Sequence, residues 1–149
     1  MWKPLFDWFV QLFSGLTWPE FLAEQRETSE SAERLRNVFR NDLYPISGSI
    51  IILATISAVL VYYFVFNRKS GAGYGYKLKY WFSFFLATSI VVGALVLLIS
   101  TNSTESFRQL NPFKFSLALS IASTLYSACL FVLISLVVKH FSVANRTPF

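Results

Sequence analysis

The stretch that decides the fold covers residues 115–138 and reads FSLALSIASTLYSACLFVLISLVV, 24 residues without a charged side chain. Two further uncharged stretches precede it, residues 46–66 and residues 80–99. About 20 apolar residues are needed to cross the roughly 30 Å of hydrocarbon in a bilayer. Each stretch is therefore predicted to be a transmembrane helix, because lipid leaves a single chain no other way to satisfy its backbone amides.

The composition and the charge distribution agree with a membrane protein. Hydrophobic residues make up 54% of the 149 residues and charged residues only 14%, which lies on the membrane side of globular averages. The net charge is +5. Because most of the bases lie in short segments beside the uncharged stretches, we expect them to contact anionic lipid headgroups and expect no nucleic-acid partner.

The sequence predicts an all-α integral membrane protein in which three transmembrane helices follow short amphipathic or interfacial N-terminal helices. The expected domain organisation has an N-terminal amphipathic segment (residues 1–45), a transmembrane domain (residues 46–138) and a short C-terminal tail (residues 139–149). Within the transmembrane domain the three spans are the uncharged stretches described above.

The first N-terminal helix, predicted at residues 3–14, is almost wholly apolar. Pro4 suits its first turn and Gly15 its C-terminal cap. Its polar residues form one narrow stripe, which consists of Lys3, Asp7, Gln11 and Ser14. Its candidate interface residues are Trp2, Phe6, Trp8, Phe9 and Phe13. A helix this apolar can lie in the membrane interface, pack on the protein's own spans or dock on a partner, and the sequence leaves these possibilities open.

Two more short helices are predicted before the first span. Thr17 and Glu20 form a capping box, which starts the second helix. The third helix has apolar residues at helical spacing. Its charged residues are expected on a solvated face, and they are Glu30, Glu33, Arg34, Arg36 and Arg40. Asp42 and Pro45 are then expected to mark a bend into the first span.

The third span carries a stripe of small hydroxylated residues, Ser116, Ser120, Ser123 and Ser127. Their spacings of four, three and four place them on one face of a helix. Small residues let helix backbones approach closely, and hydroxyl groups can hydrogen-bond across the contact. The stripe therefore predicts a helix-packing seam, which faces either this protein's own spans or another subunit.

The loop between the first two spans, residues 67–79, contains four bases and no acid. The bases predicted to contact lipid headgroups are Arg68, Lys69, Lys77 and Lys79. The glycines within this loop lack the spacing of a phosphate-binding motif. By the positive-inside rule the concentration of bases favours a C-terminus inside the cell, and the expected location is the bacterial cytoplasmic membrane.

Catalytic and metal-ligating patterns are missing from the sequence. The spans contain none of the charged residues that pumps and ion-coupled transporters need at membrane depth. The single cysteine, Cys129, and the single histidine, His140, have no partners at ligand spacing. We therefore expect no enzymatic activity, no cofactor and no metal site.

The expected function is that of a non-enzymatic structural or assembly subunit of a larger membrane complex. Its expected partners are membrane lipids and, through helix–helix contacts, other membrane-protein subunits or copies of itself. The alternative is a homo-oligomeric pore former, either holin-like or a defence effector. The three-span plan resembles those of phage holins and of immunity proteins against pore-forming bacteriocins in hydropathy alone, with no shared motif.

Overall fold

The computed structural model describes residues 2–24, 29–66 and 78–139. These residues are 95% helical and contain no strand. In chain order the elements are α1 (Trp2–Ser14), α2 (Trp18–Glu24), α3 (Ser29–Asn37), a first π-helical segment (Val38–Leu43), α4 (Tyr44–Leu60), a second π-helical segment (Val61–Phe66), α5 (Leu78–Ser103), a 3-10 helix (Glu105–Leu110) and α6 (Phe113–Lys139).

Three of the described helices are long and apolar enough to cross a membrane, and they are Glu30–Phe66, Leu78–Ser103 and Phe113–Val138. The prediction of an all-α integral membrane protein with three spans preceded by short N-terminal helices is therefore confirmed. The helices are longer than the uncharged stretches because polar residues at the membrane surface continue the same backbone hydrogen bonding beyond the hydrocarbon.

The junction between the N-terminal segment and the first span is a π-helical segment and not a break in the helix. The Tyr44 N–H donates to the Phe39 carbonyl five residues earlier, and Pro45 occupies the first turn of α4. In a regular helix a proline ring collides with the carbonyl four residues before it, and a π-helical turn widens the backbone at that point. A bend was expected at Asp42 and Pro45, and the structure instead places both residues inside one continuous helix, Glu30–Phe66.

The caps predicted for α1 and α2 are present. The Thr17 N–H donates to Glu20 Oε2 at 2.8 Å, and the Glu20 N–H donates to Thr17 Oγ1 at 3.4 Å. These hydrogen bonds, the one from the Thr17 backbone first, hold the pKa of the Glu20 carboxyl below its ordinary value. Gly15 has a φ of 71° and its N–H donates to the Gln11 carbonyl at 3.1 Å, which ends α1.

The N-terminal helices pack directly on the spans, so the largest core cluster includes residues of both. The Trp18 indole of α2 stacks on Phe115 of α6, with ring centroids 4.5 Å apart and planes 8° apart. A second cluster closes the other end of the bundle, and its buried members are Val59, Tyr62, Tyr63, Trp81 and Phe131. Aromatic side chains thus fill both ends of the three-helix bundle.

Candidate helix-packing and membrane-contact surfaces

The serine seam of α6, formed by Ser116, Ser120, Ser123 and Ser127, is buried inside the chain. The Ser120 hydroxyl donates to the Gly93 carbonyl of α5 at 2.8 Å. A Cβ atom on Gly93 would collide with the Thr124 hydroxyl, so the two helices meet here without a side chain between them. This is the close approach that small residues permit in lipid.

A second hydroxyl contact joins α6 to α4. Ser127 Oγ and Thr55 Oγ1 lie 3.0 Å apart, and both residues are buried. Ser123 donates to the Leu119 carbonyl of its own helix at 2.7 Å. The Ser116 hydroxyl has no hydrogen-bond partner among the described residues. Two of the four serines therefore bridge helices, and the structure places the seam within one chain, which leaves no serine face free for another subunit.

The seam extends one step further than the sequence suggested. Ser135 lies eight residues beyond Ser127, is fully buried and accepts a hydrogen bond from the Trp81 indole N–H at 3.2 Å. Its spacing of eight residues places it about 80° around the helix from Ser127, at the edge of the serine face. Sequence analysis missed it because the intervening residues, including the buried Phe131, are large and apolar.

The inner side of α1 is packed against the spans. Phe6 is fully buried between Tyr44, at a ring distance of 5.3 Å, and Tyr126, at 5.4 Å. The Trp2 indole lies on Gly48 of α4 so closely that a Cβ atom there would collide with it. The predicted candidates Trp2 and Phe6 are therefore packing residues of this chain.

The remaining candidates of α1 lie further round the helix. Phe9 is half-buried and its ring meets Tyr126 edge-on at 5.0 Å. Trp8 and Phe13 are exposed, as is Leu12 between them. The predicted apolar surface of α1 thus divides into an inner face that packs on the spans and an outer face that stays exposed among residues 2–24, 29–66 and 78–139.

The polar stripe of α1 meets the first π-helical segment. Lys3 Nζ donates to Asn41 Oδ1 at 2.8 Å, and the Asp7 carboxylate lies 3.0 Å from the Arg40 guanidinium. The Asp7 and Arg40 side chains are only 18% and 32% exposed. Sequence analysis had assigned Arg40 to a solvated helix face, because a contact between α1 and this segment depends on how α1 docks and leaves no trace in local spacing.

Buried polar atoms surround this ion pair. Four buried polar groups at this junction find no hydrogen-bond partner within the described part of the chain, and they are Asp7 Oδ1, Arg40 Nε, the Trp18 indole N–H and the Tyr44 hydroxyl. The Tyr44 hydroxyl lies beside both Asp7 and Trp18. These groups make the junction a polar patch within an otherwise apolar contact.

The predicted headgroup-contacting bases are described only in part. Arg68, Lys69 and Lys77 lie outside the described residues. Lys79 is exposed in the first turn of α5, and its ammonium group lies 4.9 Å from the Tyr80 ring centroid. A base and an aromatic ring side by side at the end of a span suit the membrane interface.

The lipid-facing side of α5 has small residues at its centre. Ala87 and Ala94 are exposed and lie seven residues apart, and Ser83 is exposed one turn before Ala87. The buried residues of the same helix, including Val92 and Val96, lie on the opposite side. Large apolar residues are exposed on α5 as well, including Ile90 and Leu98, and they cover most of the outer surfaces of α4 and α6.

A polar groove of about 300 Å³ lies where α5 gives way to α6. Its lining includes Glu105 and Arg108, which form an exposed ion pair at 2.6 Å. Asn111, also in the lining, has a φ of 48°, the left-handed conformation that turns the chain into α6. Among the described residues, no three His, Cys, Asp or Glu side chains are placed to hold a metal ion.

No family model, curated protein or solved structure matches this chain. The class of the protein therefore rests on its own fold. It is an integral membrane protein whose three transmembrane helices are held together by a hydroxyl seam and aromatic clusters.

Proposed function

We propose that this protein is a non-enzymatic membrane subunit that assembles with other membrane proteins, or with copies of itself, through helix–helix contacts in the bilayer. The observation that carries the proposal is the small-residue centre of the α5 outer face, formed by Ser83, Ala87 and Ala94. Inside a bilayer, helices associate where small residues let their backbones come close, because lipid removes the hydrophobic driving force.

The position of these residues leaves them available to another protein. The α5 outer face is the part of this helix that the described residues leave uncovered, because its opposite side packs on α4 and α6. Ala87 and Ala94 lie two helical turns apart on the same side, with Ile90 exposed between them. A second helix that packs here can approach closely at Ala87 and at Ala94, and it contacts the Ile90 side chain between them.

The surface chemistry favours a subunit over a homo-oligomeric pore. A water-filled pore needs polar groups facing its lumen. In this protein the serine seam is turned inward, and large aliphatic and aromatic side chains cover most of the outward faces of the spans. Copies assembled through those outer faces would line a lumen with apolar side chains.

We also propose an orientation with the C-terminus inside the cell, in a bacterial cytoplasmic membrane. The support is the first loop, whose four bases and no acids are the densest positive segment beside the spans. Reporter fusions at Gly73 and at the C-terminus test the orientation, and an external C-terminus would contradict it.

The experiment that tests the function is purification of the tagged full-length protein from native membranes in mild detergent. We expect co-purifying chains, or a mass above that of the monomer. The variant Ala87→Leu/Ala94→Leu should lose them, because two added side chains hold the neighbouring helix away. The matched control is Ser57→Leu/Cys129→Leu, which enlarges two exposed small residues on the other spans and should retain them.

The experiment distinguishes an error in the proposed contact surface from an error in the proposed function. A complex that survives Ala87→Leu/Ala94→Leu would show that the contact lies elsewhere on the protein. A chain that purifies alone and monomeric under all conditions would overturn the subunit proposal itself.

A further inference from the structure

The outer face of α1 consists of large apolar side chains that none of the described residues covers. Leu5 is 44% exposed, Trp8 62%, Leu12 59% and Phe13 43%. None of these residues is charged, and the only charged residues of the helix, Lys3 and Asp7, are paired with the first π-helical segment. Contact between water and such a continuous apolar face is unfavourable, so we expect either lipid or protein to cover it.

The pairing of the polar stripe fixes how α1 is turned. With 3.6 residues per helical turn, Leu5 and Leu12 lie about 160° and 140° around the helix from Asp7. Asp7 faces Arg40, which lies in the helix just before the uncharged stretch of the first span. The stripe therefore points towards the headgroup layer, and the opposite side of α1 points towards the hydrocarbon.

A contact with α6 fixes the depth of α1. The Tyr126 hydroxyl donates to the Leu5 carbonyl at 2.8 Å. Tyr126 is halfway along α6, and side chains lean towards the N-terminus of their helix, so its hydroxyl lies in the first half of the span. The 13 residues of α1 extend only about 20 Å, too short to cross the bilayer.

We infer that the acyl chains of the leaflet at the N-terminal ends of α4 and α6 cover the outer face of α1. In this arrangement α1 lies within that leaflet. Asp7 and Lys3 anchor it on the side of the helix that faces the headgroups. Its outer face continues the lipid-contacting surface of α6, on which Ile121 and Leu125 are also exposed. A water-soluble partner does not fit, since it would have to reach this face through the headgroup layer.

Spin labels test this contact in the full-length protein, reconstituted in phosphatidylcholine vesicles without any partner. In a Cys129→Ser background, Leu12→Cys and separately Trp8→Cys carry the label. Relaxation by oxygen, which concentrates in hydrocarbon, is compared with relaxation by a water-soluble nickel chelate. Leu125→Cys, on the lipid side of α6, is the hydrocarbon control, and Arg34→Cys, on an exposed face of α3, is the aqueous control.

We expect both α1 labels to give an oxygen-to-nickel ratio close to that of the Leu125 label and severalfold above that of the Arg34 label. A ratio like that of the Arg34 label would overturn the inference, because the face would then lie in water. Low relaxation by both reagents would overturn it too, because a second copy would then cover the face. Two independent α1 positions guard against a local disturbance by one label.

Discussion

The Ser120 hydroxyl of α6 donates a hydrogen bond of 2.8 Å to the Gly93 carbonyl of α5. At this point α5 and α6 meet without an intervening side chain, since Gly93 has no room for a Cβ atom beside Thr124. The contact combines close approach with hydrogen bonding, the two effects that hold helices together in lipid. It therefore anchors the interior of the bundle.

Substitution of Gly93 by alanine should destabilise the bundle. The new methyl group meets the Thr124 hydroxyl, and overpacking of this kind costs about 1–3 kcal/mol. The free energy of unfolding, measured in mixed micelles with increasing SDS, checks the loss. The double variant Gly93→Ala/Thr124→Ala removes the colliding oxygen and should recover most of the stability. If Gly93→Ala alone left the free energy of unfolding unchanged, α5 and α6 would be further apart at Gly93 than in this structure.

The contact between Thr55 and Ser127 should appear as a coupling between α4 and α6. In a double-mutant cycle with Thr55→Val and Ser127→Ala, we expect an interaction free energy of about 0.6 kcal/mol, the average for hydrogen bonds between membrane helices. The same unfolding assay measures it. Strictly additive effects of the two substitutions would mean that the hydroxyl groups do not bond to each other.

The ion pair between Asp7 and Arg40 should hold α1 on the spans. Asp7→Asn leaves a largely buried guanidinium without its counter-charge, which should cost about 1–3 kcal/mol and raise hydrogen exchange in α1. Glu30→Gln is the control, because its pair with Arg34 is exposed and such pairs contribute about 0.3–0.5 kcal/mol. Equal exchange of α1 amides in the two variants would contradict the anchoring role.

The capping box should be visible in the titration of Glu20. Its pKa is lowered from an ordinary value of 4.5 by hydrogen bonds from the Thr17 backbone and side chain. Because the folded-state pKa is the lower one, the cap stabilises α2 above pH 4.5 and is lost as the pH falls through the lowered pKa. A carboxyl NMR titration should place the Thr17→Val pKa above that of the natural chain but still below 4.5, since the backbone bond remains. A pKa at or above 4.5 in the natural chain would rule out the cap.

Hydropathy and local spacing were enough to predict the three spans and both helix caps. Each depends on residues close in sequence: the uncharged stretches, the pair Thr17 and Glu20, and Gly15 after α1. The seam of α6 was partly predictable, since the spacing from Ser116 to Ser127 defines a helix face. It does not say which helix lies opposite, so only the structure assigns that face to α4 and α5 of the same chain.

The docking of α1 could not be predicted, because it joins residues far apart in the chain. Asp7 and Arg40 each have a plausible local environment, one in a narrow polar stripe and the other on a charged helix face. Their pairing follows from the packing of Phe6 between Tyr44 and Tyr126, a tertiary contact. The α5 outer face was missed for a related reason: small residues matter there only once the opposite side is known to be buried.

Photo-cross-linking in native membranes tests the assembly role of α5 most directly. Benzoylphenylalanine replaces Ile90, which is 63% exposed between Ala87 and Ala94 on α5, or, as a control, Leu133, which is 60% exposed on α6. We predict adducts with another polypeptide, a partner or a second copy distinguished by mass, from position 90 and none from position 133. Adducts from position 133 alone, or from neither position, would contradict an assembly contact on α5.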